Sequence, residues 1–286
     1  MTPRTLLTDA ARRLAEAGVE SPRVDAELLL AHALGVPRGR LLTLAGVPAD
    51  AAARFAALVD QRAGRVPLQH LTGRAPFRHL ELAVGPGVFV PRPETEQLVG
   101  WALDRLAGIP EPVVVDLGAG SGAIALSVAH EHPGARVTAV ERDPVAAEWT
   151  RTNAAARAAA GDTPVEVLTG DMTDPQLLRA LDGAVDLVVS NPPYVPDGAR
   201  VPREVAEHDP PLALWGGPDG LAVVRGMLAV AARLLRPGGA LGIEHADQQG
   251  STLPAVVRAA GSFVEVADHR DLAGRPRYTT AVRASR

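Results

Sequence analysis

Val113-Val114-Val115-Asp116-Leu117-Gly118-Ala119-Gly120-Ser121-Gly122-Ala123 decides the fold. Four of its first five residues are apolar, which reads as a strand, and the glycine-rich run turns the chain into a helix predicted over 122–131. Glycines let the backbone approach a ligand closely, and the N–H groups that open a helix point into the same space.

Working outward, the unit repeats. Strands predicted over 113–117, 136–140, 165–168, 185–190 and 240–244 alternate with helices near 122–131, 144–160, 175–182 and 220–235. A second helix pair and two strands near 262–268 and 277–283 finish the chain. Repeated βα units predict a mostly parallel sheet with helices on both faces. Ligands in such folds bind beyond the carboxyl ends of the strands, where Asp116 and Asn191 fall.

The N-terminal third reads differently. Leu6, Leu7, Ala10, Ala11 and Leu14 recur at helical spacing over 5–17, and Gly18 closes that segment. Ser21 is placed to cap a second helix, with Pro22 at its first position and Gly35 beyond its end. A third helix is predicted over 49–63, completing a small bundle with no catalytic constellation. Phe77, Leu80, Leu82 and Val84 then alternate before Gly85-Pro86-Gly87, and Val88, Phe89 and Val90 follow, which predicts a hairpin. The expected organisation is a helical domain over 1–75, a hairpin linker over 76–92 and an α/β domain over 93–286.

Composition narrows the chemistry. The chain has 286 residues, enough for a substantial core, and a net charge of −4, so no global basic field supports unspecific nucleic-acid binding. It has no cysteine, which excludes disulfides, thiolate metal sites and thiol nucleophiles. No metal is expected. All 29 basic residues are arginine, so lysine Schiff-base and P-loop chemistry is excluded as well. The N-terminus lacks the apolar core of a signal peptide, and no stretch has the apolar length needed to cross a bilayer. A cytoplasmic protein is the expectation.

The densest chemical signal is Asn191-Pro192-Pro193-Tyr194, directly after the apolar run 185–189. Two prolines fix φ near −65° and remove two donors, leaving local carbonyls free to accept hydrogen bonds from elsewhere. Asn191 Oδ1 and the Pro192 carbonyl could accept both N–H bonds of a planar NH2 group while Tyr194 covers one face. An Asn-Pro turn after a strand is the plain alternative.

The loop at Gly118, Ala119, Gly120, Ser121 and Gly122 admits two cofactors. Gly118, Gly120 and Ala123 satisfy the dinucleotide pattern, with Glu141 near the distance expected for a ribose-binding acid. A dinucleotide places pyrophosphate on the helix N-terminus, whereas S-adenosyl-L-methionine presents an ammonium and a sulfonium. Asp116, at the mouth of the loop, suits the cationic group better, unless it only caps the loop's own amides. Glu141 could accept both ribose hydroxyls while Asp143 caps the next helix ahead of Pro144. Asp171 and Met172 end the third strand, where a carboxylate could hold an adenine amine and a thioether could pack on the ring. A loop aspartate and a core methionine would look the same. Four successive strand ends thus carry a glycine loop, two acids and Asn-Pro-Pro-Tyr.

In that combination the chain closely resembles the class I S-adenosylmethionine-dependent methyltransferases that act on planar nitrogen, and among them the release-factor glutamine methyltransferases. The resemblance runs through Pro67-Leu68-Gln69-His70-Leu71-Thr72-Gly73, Val90-Pro91-Arg92-Pro93-Glu94-Thr95-Glu96, the Asp116–Gly122 loop and Asn191–Tyr194. It continues through Ala213-Leu214, Gly216-Gly217, Asp219-Gly220, Gln249-Gly250 and Asp271-Leu272-Ala273-Gly274. It implies a Rossmann-like α/β sheet with helices on both faces, plus a small N-terminal helical bundle joined by a β-hairpin. By similarity Gly118 to Gly122, Glu141, Met172 and Asn191 contact the cofactor, and Asn191 to Tyr194 receive the glutamine of a Gly-Gly-Gln motif in peptide chain release factors. The helical domain and hairpin would help hold that protein partner. His70 stands where the family often has tyrosine, and His208-Asp209-Pro210 where Tyr-Glu-Pro is usual. A ribosomal-protein glutamine methyltransferase and an adenine-specific nucleic-acid methyltransferase are the alternatives, although no basic recognition region supports the latter.

Overall fold

The computed structural model describes residues 2–285, which divide into two compact units. The first comprises residues up to Arg74 together with Val201–His208. It contains α1 (Pro3–Glu16), α2 (Pro22–Leu34), α3 (Ala49–Ala63) and α4 (Leu68–Thr72). Leu7, Leu14, Leu29, Leu30, Phe55 and Val59 form its core. Ser21 occupies the cap position of α2 without making the expected side-chain bond. Its ψ of 59° lies outside the extended region from which a cap hydroxyl reaches the next amides.

Buried Arg62 ties this unit together. Its Nε donates to Asp25 at 2.7 Å, and its Nη1 donates to Glu204 at 2.7 Å. Glu204 belongs to the 201–208 segment, so a piece of chain distant in sequence completes the helical unit.

The second unit begins at Ala75, within β1 (Arg74–Phe77), and continues with β2 (Leu80–Ala83), then α5 (Glu96–Leu106), β3 (Val113–Leu117), α6 (Ala123–Glu131), β4 (Arg136–Glu141), α7 (Pro144–Ala159) and β5 (Glu166–Thr169). It continues with β6 (Val185–Ser190); α8 (Arg203–His208) is the inserted helix of the first unit. Next come α9 (Pro211–Leu214), α10 (Ala222–Leu234), β7 (Leu235–Glu244), α11 (Thr252–Ala259), β8 (Phe263–Arg270) and β9 (Pro276–Arg283).

Seven strands form one sheet in the order β5-β4-β3-β6-β7-β9-β8. The first five are parallel, and β9 runs antiparallel to both of its neighbours. Buried side chains of α5, α6 and α7 cover one face, and those of α10 and α11 cover the other. The α/β sheet with helices on both faces expected from the βα repeats is therefore what the chain adopts, in the Rossmann-like arrangement that the resemblance implies. β3 is buried along its whole length, as a central parallel strand between two helical layers must be. Strand order reverses between β3 and β6, and a crevice at such a switch point is where ligands bind.

Two further local expectations fail. The hairpin reverses at Arg78-His79 and not at Gly85-Pro86-Gly87, and Val88, Phe89 and Val90 form no strand. Tertiary contacts set that turn: the Arg78 guanidinium grips Glu131 at 2.6 and 2.7 Å, and its backbone N–H donates to Glu96. The glycines serve close approach instead, because a Cβ on Gly85 would meet the Trp149 ring at 2.6 Å. Nor do residues 175–182 form an α-helix; only Arg179–Leu181 makes a 3₁₀ turn. Leu178, inside this segment, is left-handed at φ of +52°, a conformation an α-helix cannot run through.

Candidate active site

The loop after β3 is held by its neighbours. Gly118 N–H and Ala119 N–H both donate to the Val140 carbonyl, at 2.8 and 3.0 Å, and Gly122 N–H donates to Ala119. Gly118, Gly120 and Gly122 all have positive φ, which only glycine adopts without strain. A Cβ on Gly118 would collide with Met172 Cε at 2.8 Å, with the Asn191 carbonyl 3.7 Å away. The ends of β3, β5 and β6 therefore converge on one glycine. Around Gly120 the space is open.

Glu141 is not the free acceptor its position suggests. Its Oε2 accepts the Gly120 N–H at 2.9 Å and its Oε1 the Asp143 N–H at 2.8 Å, so it braces the loop. Each oxygen keeps a second lone pair for a ligand. Burial raises its pKa against the opposing pull of those amides. Asp143 caps α7, accepting the Val145 N–H at 2.8 Å.

Asp116 lies fully buried beneath the loop. Its Oδ2 accepts the Ala125 N–H of α6 at 3.1 Å, whereas Oδ1 has no hydrogen-bond partner. Burial pushes its carboxyl up to about 7. A buried carboxylate oxygen without a donor is costly until a cation or donor reaches it. Asp171 is more exposed; its Oδ1 accepts both the N–H and the hydroxyl of Thr173, and Arg142 lies 3.5 Å from Oδ2. Met172 is 8% exposed.

Asn191 follows β6 directly, one residue beyond the Ser190–Ile243 pair that joins β6 to β7. Its Nδ2 donates to Thr95 Oγ1 at 3.4 Å, which leaves Oδ1 at the other branch of the amide. No backbone amide among the described residues donates to the Pro192 carbonyl. The tetrapeptide is clamped from behind. Gln249 Nε2 donates to the Tyr194 carbonyl at 3.1 Å while Gln249 Oε1 accepts the Ala246 N–H. A Cβ on Gly216 would stand 2.6 Å from the Pro193 carbonyl, and one on Gly220 would stand 2.2 Å from that of Tyr194. Only glycines let these strands of backbone lie so close. Burial raises the Tyr194 pKa well above its ordinary value, with Glu244 adding to the effect and Arg277 and Arg92 opposing it. The phenol is neutral at any physiological pH.

Residues 5–73 match the PrmC N-terminal domain, and residues 101–268 match the methyltransferase small domain. The release factor glutamine methyltransferase of Mycolicibacterium smegmatis is 52% identical over 284 residues, covering 99% of this chain and 98% of that protein. The chain belongs to the release factor glutamine methyltransferase family. That of Streptomyces coelicolor is 50% identical, with 97% of each chain covered. A methyltransferase from Pyrococcus furiosus shares the fold, with a TM-score of 0.52 at 18% identity over 79% of this chain and all of that one. The 16S rRNA N2 G1207 methyltransferase of T. thermophilus, solved with AdoMet and guanosine, aligns at a TM-score of 0.50 and 23% identity over 74% of this chain and 50% of that one.

For this release factor glutamine methyltransferase family member, sequence reasoning overlooked several supports of the site. Thr150 Oγ1 donates to the Gly120 carbonyl at 2.7 Å, and Asn153 joins the Ser121 carbonyl to both backbone groups of Ala83. Both sit on α7 as unremarkable polar residues, and only their burial reveals the role. Glu244, 1% exposed at the end of β7, was equally silent.

Proposed function

We propose that the chain transfers a methyl group from S-adenosyl-L-methionine to the side-chain amide nitrogen of the glutamine in the Gly-Gly-Gln motif of peptide chain release factors. The observation that carries this reading is the Asn191–Tyr194 backbone, clamped beside the glycine loop at the sheet's switch point. The names of the full-length relatives point to the same substrate.

The loop fits this cofactor better than a dinucleotide. The amides of Gly118, Ala119, Gly120 and Gly122 are already committed to protein acceptors, so they offer no cradle for a pyrophosphate. Two carboxylates, Asp116 and Glu141, face the same loop and would repel one. Asp116 Oδ1 supplies the partnerless acceptor an ammonium group would satisfy, Glu141 retains lone pairs for ribose hydroxyls, and Met172 and Asp171 end the strand beyond. The bound donor supplies an electrophilic methyl group on a sulfonium.

An amide nitrogen is a poor nucleophile because its lone pair is delocalised into its carbonyl. Asn191 Oδ1 and the Pro192 carbonyl, accepting its two N–H bonds, raise electron density on that nitrogen and fix its direction. Positioning and electrostatics therefore carry most of the rate, and no strong general base is required before transfer. The nitrogen becomes acidic once methylated and loses its proton afterwards. Tyr194, its phenol neutral, would cover one face of the amide.

Incubation with labelled S-adenosyl-L-methionine and, separately, a release factor, a ribosomal protein and DNA tests the reading. Mass spectrometry should place the methyl group on the Gly-Gly-Gln glutamine. Label on the ribosomal protein or on DNA alone would refute it.

A further inference from the structure

Glu244 is a buried ionisable group that the reaction above does not use. It ends β7, and the parallel register that pairs Ser190 with Ile243 brings Asn191 alongside it. Its side chain is almost wholly enclosed, yet Oε2 has no hydrogen-bond partner. A buried polar atom without a partner calls for an explanation. The Thr95 hydroxyl and the Asn191 amide both face it and favour its charged form. Thr95 also receives the Asn191 Nδ2 bond.

Resting on the function proposed above, we infer that Glu244 is a positioning residue whose carboxylate holds the Asn191 amide by its NH2 end, directly and through Thr95, so that Oδ1 is presented to the acceptor nitrogen. A primary amide turned by 180° would offer two donors to the substrate's own NH2 group and repel it. The negative charge decides between the two orientations, because a carboxylate accepts only from the NH2 end whereas a protonated carboxyl can donate to Oδ1. The groups facing Glu244 are Arg277 from β9, Glu94 from the turn before α5, Thr95, Asn191 and Tyr194. Burial raises its pKa most, Glu94 adds to this, and Thr95, Arg277 and Asn191 oppose it, leaving the carboxyl at about 7. Asn191 would therefore be correctly oriented above that pH and lose its bias below it.

The test is Glu244→Gln in the full chain, with two readouts. In the wild type, the Asn191 side-chain NH2 resonances, assigned by their loss in Asn191→Ala, should shift between pH 5.5 and 8.5; in Glu244→Gln they should not. At saturating cofactor, kcat on a release factor should fall about 10- to 100-fold while KM and cofactor Kd change less than about threefold. Glu244→Asp should restore part of kcat, and it serves for both readouts should the glutamine variant fail to fold. Unchanged kcat, or Asn191 signals that titrate equally in both proteins, would overturn the inference. A wild type that methylates no release factor would overturn the proposed substrate instead, and the resonance titration would still decide the role of Glu244.

Discussion

The carbonyl of Tyr194 occupies the place where a side chain on Gly220 would have to go, 2.2 Å from the position of its Cβ. Gly220 also has φ of +75°, so alanine there meets both a backbone clash and backbone strain. Gly220→Ala should lower turnover by at least about tenfold by displacing the tetrapeptide, and destabilise the protein by about 1–3 kcal/mol. Steady-state kinetics beside a thermal melt measure both. Wild-type values for both would mean that the tetrapeptide is not held by this contact.

Asn191→Ala removes one of two acceptors for the substrate amide while leaving the glycine loop intact. Turnover should fall on the order of 10²-fold or more through lost orientation, with cofactor binding retained. Calorimetry and single-turnover rates separate the two effects. Intact binding with intact turnover would exclude the mechanism.

Asp116 has a folded pKa raised to about 7 from an ordinary 3.8. The folded chain therefore holds a proton that the unfolded chain has released, and stability falls as pH rises from about 4 to about 7. Asp116→Asn should flatten that decline in the ligand-free protein's melting temperature. In the wild type at pH 6, cofactor binding should release protons as the ammonium draws Asp116 into its charged form, seen as a dependence of binding enthalpy on buffer ionisation. The asparagine variant should show less proton release and weaker binding.

Asn153 makes three hydrogen bonds in a buried position, two to Ala83 and one to the Ser121 carbonyl. Asn153→Ala leaves those backbone groups unpaired, at about 1–3 kcal/mol for each such group before relaxation. Reduced melting temperature and reduced cofactor affinity should appear together, because one side chain joins the hairpin's end to the loop.

Arg62→Ala should be more damaging than a surface charge deletion. Arg62 is 7% exposed and lies between Asp25 and Glu204, and its loss leaves Asp25 uncompensated in the helical core and Glu204 with only Arg65, 3.5 Å away. About 3–5 kcal/mol of destabilisation is expected, measurable by denaturant unfolding.

Legibility followed the range of the interactions. The loop at Gly118–Gly122 and the turn at Asn191–Tyr194 were readable because glycine and proline restrict their own backbones, whatever surrounds them. The hairpin turn was misplaced because Arg78 is held by Glu131 and Glu96, which lie far along the chain. Residues 175–182 have a helical spacing of leucines, but Leu178 takes a left-handed backbone conformation that breaks the helix. Glu141 was expected to be free because nothing in its neighbourhood reveals that Gly120 N–H points at it.

By itself the sequence determined the βα repeat, the apolar layers, the glycine loop and the tetrapeptide, since periodicity and backbone restriction act over a few residues. The tertiary structure alone decided that β6 lies beside β3 and β7, and hence that Asn191 meets Thr95 and Glu244. It also decided that Asp116 is sealed from water with one oxygen unpaired. Strand order and burial depend on the packing of the whole sheet, and the ionisation of those carboxyls follows from that burial.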